Sequence, residues 1–271
     1  MDHRTIVALV FLGFAVIELR AGRFFQPGRA TLRDWMIEGT SGIVLPLAVI
    51  PAVFAIVPAV LQAIAPTSSD ALADWPWWRM FAVLLVADDL TQYLWHRASH
   101  ASPTLFRLHR AHHSAPYMSV RVTYRNNAFY YAMMPGLWLS AALVHLGFGS
   151  VYAVYMVLKM VVVIGAHASV PWDAWLLARR WTWPALWVIE RVISTPTTHA
   201  AHHGRHADDD ATHYRGNYGN FLFLWDVLFG TAKITRRVPK AYGLEDVAPV
   251  SWVEEVAWPL VDRDRATIKQ R

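Results

Sequence analysis

Thirteen histidines and no cysteine stand in this chain of 271 residues. His96 and His100 lie four apart, a spacing that stacks two imidazoles on one face of a helix. His109, His112 and His113 follow as H-x-x-H-H, and His199, His202 and His203 repeat that figure far along the chain. Each H-x-x-H-H run is expected to present a single helix face. Imidazoles at these spacings are ligands of the kind that hold iron, copper or zinc. Eight or nine of them exceed the four ligands that one zinc takes, so two metals are the natural reading. No H-E-x-x-H occurs, and no Glu lies in any cluster to serve as a hydrolytic base. Iron with oxygen chemistry is therefore favoured over zinc; ligand type alone leaves copper open. The lack of Cys excludes disulfides, thiolate catalysis, zinc ribbons and iron–sulfur clusters.

The elements that must position these residues read as membrane helices. Hydrophobic residues make up 55% of the chain and charged ones 17%, against about 25% charged in soluble domains. Fourteen Trp point the same way, since Trp collects at membrane–water interfaces. The expected fold class is all-α, a multi-span helical membrane protein. Its four to five membrane helices fall near 6–19, 42–65, 77–95, 128–148 and 151–166. Pro46, Pro51 and Pro58 predict kinks in the second, and Gly147–Gly149 joins the last two as a hairpin. Arg20, Arg23, Arg29 and Arg33 fill the first loop; 66–76 has Asp70 and Asp74 but no Lys or Arg; Arg97, Arg107, Arg110, Arg121 and Arg125 follow the third span. The positive-inside rule then places 20–41, 96–127 and everything after 167 in the cytoplasm. Trp and Arg alternate over 171–195, as in helices lying in the interface. Residues 232–271 read as a polar cytoplasmic tail, and the whole 1–271 as one membrane-embedded domain.

On this topology the three clusters share the cytoplasmic level. His167 returns to it at the end of the hairpin, whereas His145 sits about 25 Å away by helical rise. The metal set is thus His96, His100, His109, His112, His113, His167, His199, His202 and His203. Metal-bound imidazoles donate their other N–H to a carboxylate or carbonyl, which nominates Asp88, Asp89, Asn217 and Asp226 as supporting residues. His206 and His213, in an Asp-rich loop, read as ordinary exposed residues. Lys159 is an oddity, a charge about two turns above His167 in an apolar span.

H-R-A-S-H at 96–100, H-R-A-H-H at 109–113 and T-P-T-T-H-A-A-H-H at 195–203 resemble the three histidine boxes of the fatty acid hydroxylase/sterol desaturase superfamily. N-Y-G-N-F-L-F-L-W-D-V-L-F-G-T at 217–231 resembles the stretch after its last box, and H-H-G-R at 202–205 is similar to its alkylglycerol monooxygenase branch. The resemblance covers 88–231. It implies an integral-membrane non-heme di-iron enzyme that activates O₂ and oxidises a C–H bond of a lipid. Box by box it assigns iron binding to the eight clustered histidines, with His167 as an extra ligand. The chain departs from the pattern at S-V-R-V-T-Y-R-N-N after the second box and in the longer stretch before Asn217.

The expected activity is hydroxylation of a fatty acyl, sterol or related lipid. A desaturase with the same di-iron site is the alternative, and a non-catalytic metal-binding membrane protein or transporter the alternative of another class. Expected cofactors are two iron ions, with O₂ as co-substrate. With no Cys and no Rossmann-like glycine fingerprint, a separate reductase or ferredoxin-like electron donor is implied. Arg97, Arg107, Arg110, Arg179 and Arg180 would dock an acidic one. The net charge of +5 is ascribed to loops facing anionic lipid, with no nucleic acid partner. The expected location is a bacterial inner membrane, with the active site on its cytoplasmic side.

Overall fold

The computed structural model describes residues 2–262, and its regular elements are helical, with one isolated bridge between Gly204 and Tyr242. Helix α1 spans His3–Arg20, begun by the Asp2 side chain, which accepts from the Arg4 amide. Helix α2 runs over Leu32–Ile64. It opens on a capping box in which Thr31 and Asp34 satisfy each other's backbone amides. Pro46 lies in a π turn at Leu45–Val49. Proline has no N–H to give, and the wider turn absorbs the missing bond. Helix α3 is built of Trp77–Leu84, the π turn Leu85–Leu90 and Thr91–Ala101. Helix α4, Pro103–His113, follows at once, started by Ser102 as N-cap and Pro103 in its first turn.

The stretch expected as one span over 128–148 is divided. A short helix Ala128–Ala132 ends before Pro135, where α5 begins (Pro135–Leu143). After a π turn, Gly147 takes φ 110° and folds the chain back into α6, Gly149–His167. Only glycine accepts that backbone cheaply, and a Cβ there would also lie 2.8 Å from the Ala73 amide nitrogen. The 66–76 loop closes over this tip, with the amides of Asp70 and Leu72 donating to the carbonyls of His145 and Leu146. Helix α7, Pro196–His202, begins on a second capping box, Thr195 with Thr198.

Helix α6 is the axis of the packing. Its Tyr155 and Val163 join Met80, Leu84, Phe148 and Phe221 in one buried cluster. Ile164 meets Ala15 of α1 in another, while α5 packs Leu137 and Ala141 against Val53 of α2. The outer faces carry exposed Leu9, Leu12, Ile56, Ile64, Val154 and Leu158. Apolar side chains spread outward in this way suit a lipid surround. Two helical stretches, Leu32–Ile64 and Pro135–His167, are long and apolar enough to cross a membrane by length and composition, the second being folded at Gly147 into two arms of which Gly149–His167 is the longer. The expected count of four to five exceeds that.

Several charges that lie in the expected cytoplasmic loops and tail are buried in pairs. Arg121 and Arg125 donate to Glu38 (2.6 and 3.5 Å), and Arg125 also reaches Asp34 at 2.9 Å. Arg110 meets Glu255 at 3.2 Å and is buried, so it offers nothing to a docking partner. Glu255 also binds Arg33 at 2.5 Å. The supposed tail therefore packs onto α2 and α4 through the helix Trp252–Ala257; its last part, 263–271, lies outside the described residues.

Candidate metal centre

All nine nominated histidines converge, and they divide into two groups. His96, His100, His109, His113 and His202 form one; His112, His167, His199 and His203 form the other; within each, the nearest ring nitrogens all lie within 4.8 Å of one another. The expectation that each H-x-x-H-H run serves one face is corrected. At 100° per residue, positions i and i+4 nearly eclipse, while i+3 points to one side. So His109 and His113 feed the first group and His112 the second, whereas on α7 His202 feeds the first and His199 and His203 the second. Eight of the nine rings are buried, and His100 is partly exposed.

The donor set can be tested for metal binding from its own hydrogen bonds. The Nδ1–H of His96 donates to the Tyr218 carbonyl (2.7 Å), and that of His202 to the Gly216 carbonyl (2.7 Å). The Nδ1–H of His112 and of His167 donate to the carbonyls of Arg125 (3.2 Å) and Val163 (2.7 Å). A carbonyl only accepts, so each of these neutral rings has its one proton on Nδ1 and a lone pair on Nε2. Yet the Nε2 atoms of His96 and His202 lie 2.9 Å apart, and those of His112 and His167 3.4 Å. Two lone pairs at that range repel unless a cation draws both. Further Nε2–Nε2 distances are 3.1 and 3.2 Å in the first group, and 2.9 and 3.2 Å in the second. Nitrogens held about 2.1 Å from a common metal sit about 3.0–3.4 Å from one another. The residues fit a di-metal site.

None of the four polar side chains nominated as supports hydrogen-bonds an imidazole; backbone carbonyls do that work. Asp226 accepts from the amides of Tyr218 (2.9 Å) and Gly219 (2.6 Å), and Asn217 donates to the carbonyls of Thr198 and Lys233. Asp89 accepts from the Leu222 amide and the Trp225 indole. These three act on the 216–225 loop, not on the rings. Asp88 turns the other way, to Lys159 and Tyr155. Sequence reading missed Asn126, whose Oδ1 accepts from His109 at 3.4 Å. It also missed the Asp34–Glu38–Arg125 network, which holds the segment carrying the Arg125 carbonyl. His145 bonds Ser68, His206 pairs with Glu245 and His213 meets the Thr231 carbonyl, all apart from the two groups.

Burial holds the imidazoles of His109, His112, His113, His199, His202 and His203 well below the usual histidine range. They are neutral near pH 7, as metal ligation requires. In the unfolded chain the same rings titrate near about pH 6.5. Below that pH the unfolded state binds more protons, so their contribution is complete above about 6.5 and lost as pH falls. Metal-stripped protein is expected to melt progressively lower from pH 7.5 to 5.5. A flat melting temperature across that window would show the rings to be solvated.

A narrow cavity of about 130 Å³ reaches the site from between the apolar helices, lined by His109, His112 and His167 at one end and by Lys159, Ser140 and Tyr152 among others. Lys159, the unexplained charge of the sequence, donates to Asp88, and Tyr155 donates to the same carboxylate oxygen at 2.7 Å. The π turn Leu85–Leu90 carries both Asp88 and Asp89, and the two neighbours thereby serve opposite sides of α3.

Alkylglycerol monooxygenase of Danio rerio is 27% identical over 158 residues, covering 58% of this chain and 30% of that protein. The enzyme of that name from Caenorhabditis elegans is 27% identical over 180 residues (63% and 30%), and the human one 25% over 165 (58% and 30%). The chain thus spans about 30% of the length of the curated relatives it matches. No solved structure matches. The family model described as fatty acid hydroxylase matches residues 81–231, which takes in most of α3, and all of α4, both arms of the hairpin, α7 and the nine histidines. The chain belongs to the fatty acid hydroxylase family.

Proposed function

We propose that this protein is a membrane-bound, O₂-dependent di-iron hydroxylase of a lipid. The observation that carries the reading is the pair of imidazole groups at the end of a cavity between apolar helices. Iron, when bound by the nine histidines, would supply the oxygen chemistry: one atom of O₂ enters a C–H bond and the other leaves as water, using two electrons and two protons from outside. An all-imidazole donor set accepts iron as it accepts copper or zinc, and the choice of iron rests on the oxygen chemistry of the family.

The chain's own residues do the rest. Carbonyls of Arg125, Val163, Gly216 and Tyr218 fix four rings with their Nε2 atoms inward. The cavity walls keep water from the reacting carbon, and the apolar helices lead an alkyl chain towards His112 and His167. These residues hold no Cys for an iron–sulfur relay, so in this reading the electrons come from a donor outside them. Arg97, Arg179 and Arg180 are exposed and suited to an acidic donor. The exposed Trp175, Trp181, Trp183 and Trp187, with Arg179 and Arg191 stacked at 4.2 Å on Trp175 and Trp187, suit a headgroup interface on the cytoplasmic face.

The test is a lipid-extract mass comparison under ¹⁸O₂ between cells making this protein and cells making its His112→Ala form. A lipid gaining one labelled oxygen only with the unaltered protein is expected. A lipid losing two hydrogens without label would make the protein a desaturase instead.

A further inference from the structure

A second cavity, of about 460 Å³, opens where α1 and α6 end and α2 begins. It shares no lining residue with the cavity beside His109, His112 and His167. Arg23, Arg29 and Lys240 line it, all three exposed, and no Asp or Glu lines it among the described residues. Among those residues none of the three cations enters an ion pair, whereas Arg33, Arg107, Arg110, Arg121, Arg125 and Arg236 all do. Asp209, close to Lys240, lines a neighbouring hollow, and its oxygens accept from the amides of Ala211 (3.1 Å) and Lys240 (2.8 Å). Three unpaired cations round one hollow repel one another, and an anion between them relieves that.

The loop that carries two of these cations is fixed in place. Gln26, at φ 49°, donates from its side chain to the Met118 carbonyl (3.0 Å), and its own carbonyl accepts from the amides of Arg29 and Ala30 (3.0 Å each). Arg23 donates to the Ser169 carbonyl (2.8 Å), which holds one edge of the guanidinium and leaves other N–H groups for a ligand. The planar fork of an Arg matches the oxygens of a phosphate in geometry and charge. The same loop turns apolar side chains outward: Phe25 is 62% and Leu32 78% exposed. Apolar side chains beside cations, at the level where apolar helices end, are the surroundings of a lipid headgroup and not of a soluble anion.

We propose that this cavity binds a phosphate group through Arg23, Arg29 and Lys240, the phosphate being that of an anionic membrane lipid. The site lies apart from the oxygen chemistry but touches its supports. Ala168 and Ala200 belong to the cavity's lining and are buried; each follows a histidine of the second group, His167 and His199. A headgroup seated there joins the 22–29 loop to the end of α6 and to α7, and so braces that group from outside.

The test is equilibrium binding of dioctanoyl phosphatidylglycerol, dioctanoylglycerol and inorganic phosphate to the purified full chain in uncharged detergent. Phosphatidylglycerol is expected to bind and to raise the melting temperature. Each cation near a lipid surface is worth about fivefold in affinity. Arg29→Gln alone should therefore weaken phosphatidylglycerol about fivefold, and Arg23→Gln with Arg29→Gln and Lys240→Gln about a hundredfold. Dioctanoylglycerol lacks the phosphate, so whatever affinity it has should be the same in the unaltered protein and the triple variant. Arg4→Gln with Arg79→Gln and Arg215→Gln removes the same charge from exposed residues outside the cavity and should leave phosphatidylglycerol binding unchanged. Equal loss in the two triple variants would overturn the proposal, because net charge alone would then account for binding. It would also be overturned if the cavity variant weakened dioctanoylglycerol as much as phosphatidylglycerol. Inorganic phosphate binding as tightly as phosphatidylglycerol would keep the phosphate site and overturn the lipid as its source. Binding here needs neither metal nor turnover, so its failure leaves the hydroxylase reading standing.

Discussion

Replacing His112 with Ala should remove the metal from its own group and bring turnover below detection, while the other group keeps its ion. His112 belongs to the smaller set, with His167, His199 and His203. A four-ligand structural zinc site binds with about 10–16 kcal/mol, so one ligand in four is worth about 3 kcal/mol, more than a hundredfold in affinity. His202→Ala should be less severe for metal retention, because four imidazoles remain around its ion. His100→Ala should be milder still, since that ring is partly exposed and lies at the edge of its group. The measurement is metal per chain by mass spectrometry beside turnover, for the three variants. Full metal and full activity in His112→Ala would end the assignment. Equal metal loss in all three would show that the two groups do not act as separate sites.

That two groups exist was only half legible in the sequence. The histidines announced themselves because i, i+3 and i+4 spacings on short helices survive in the bare order of residues. What the order concealed was the consequence of 100° per residue over three steps, which sends His112 and His202 to different groups from their neighbours. The hairpin could be read because Gly147 permits a backbone that other residues resist. The start of its first arm could not, because Ala128–Ala132 is as apolar as the helix that follows and only Pro135 separates them. Arg110, Arg121 and Arg125 served in the sequence as topology signals. In the fold they meet Glu255, Glu38 and Asp34, partners more than eighty residues away that no local pattern reveals. Asp88 and Asp89 look interchangeable, yet their π turn aims one at Lys159 and the other at Trp225.

The second large effect is expected from a residue that touches no imidazole. Asp226 is fully buried, with Oδ1 accepting from the Tyr218 amide and the Thr231 hydroxyl (2.9 and 2.6 Å) and Oδ2 accepting from the Gly219 amide (2.6 Å). It thereby fixes the loop whose Gly216 and Tyr218 carbonyls receive the Nδ1–H of His202 and His96. The loop has little room to adjust. Cβ atoms at Gly216 and Gly219 would fall 2.3 and 2.5 Å from the carbonyl oxygens of Thr231 and Leu222, and Asn217 already holds φ 55°. Asp226→Asn keeps the shape but replaces one acceptor oxygen with an NH₂ that faces donors, so at least one of the three bonds is lost. Removing such a supporting partner typically weakens metal binding about 10–100-fold. The loss should fall on the His96 and His202 group alone, because the second group takes its carbonyls from Arg125 and Val163. Metal titration of the variant is therefore expected to show one site of ordinary affinity and one weakened. Thr231→Val, which removes one bond and leaves both amides held, should show a smaller shift at the same site. A merely structural role for Asp226 would instead lower the melting temperature and weaken both sites together, and that result would refute the carbonyl route from Asp226 to the metal.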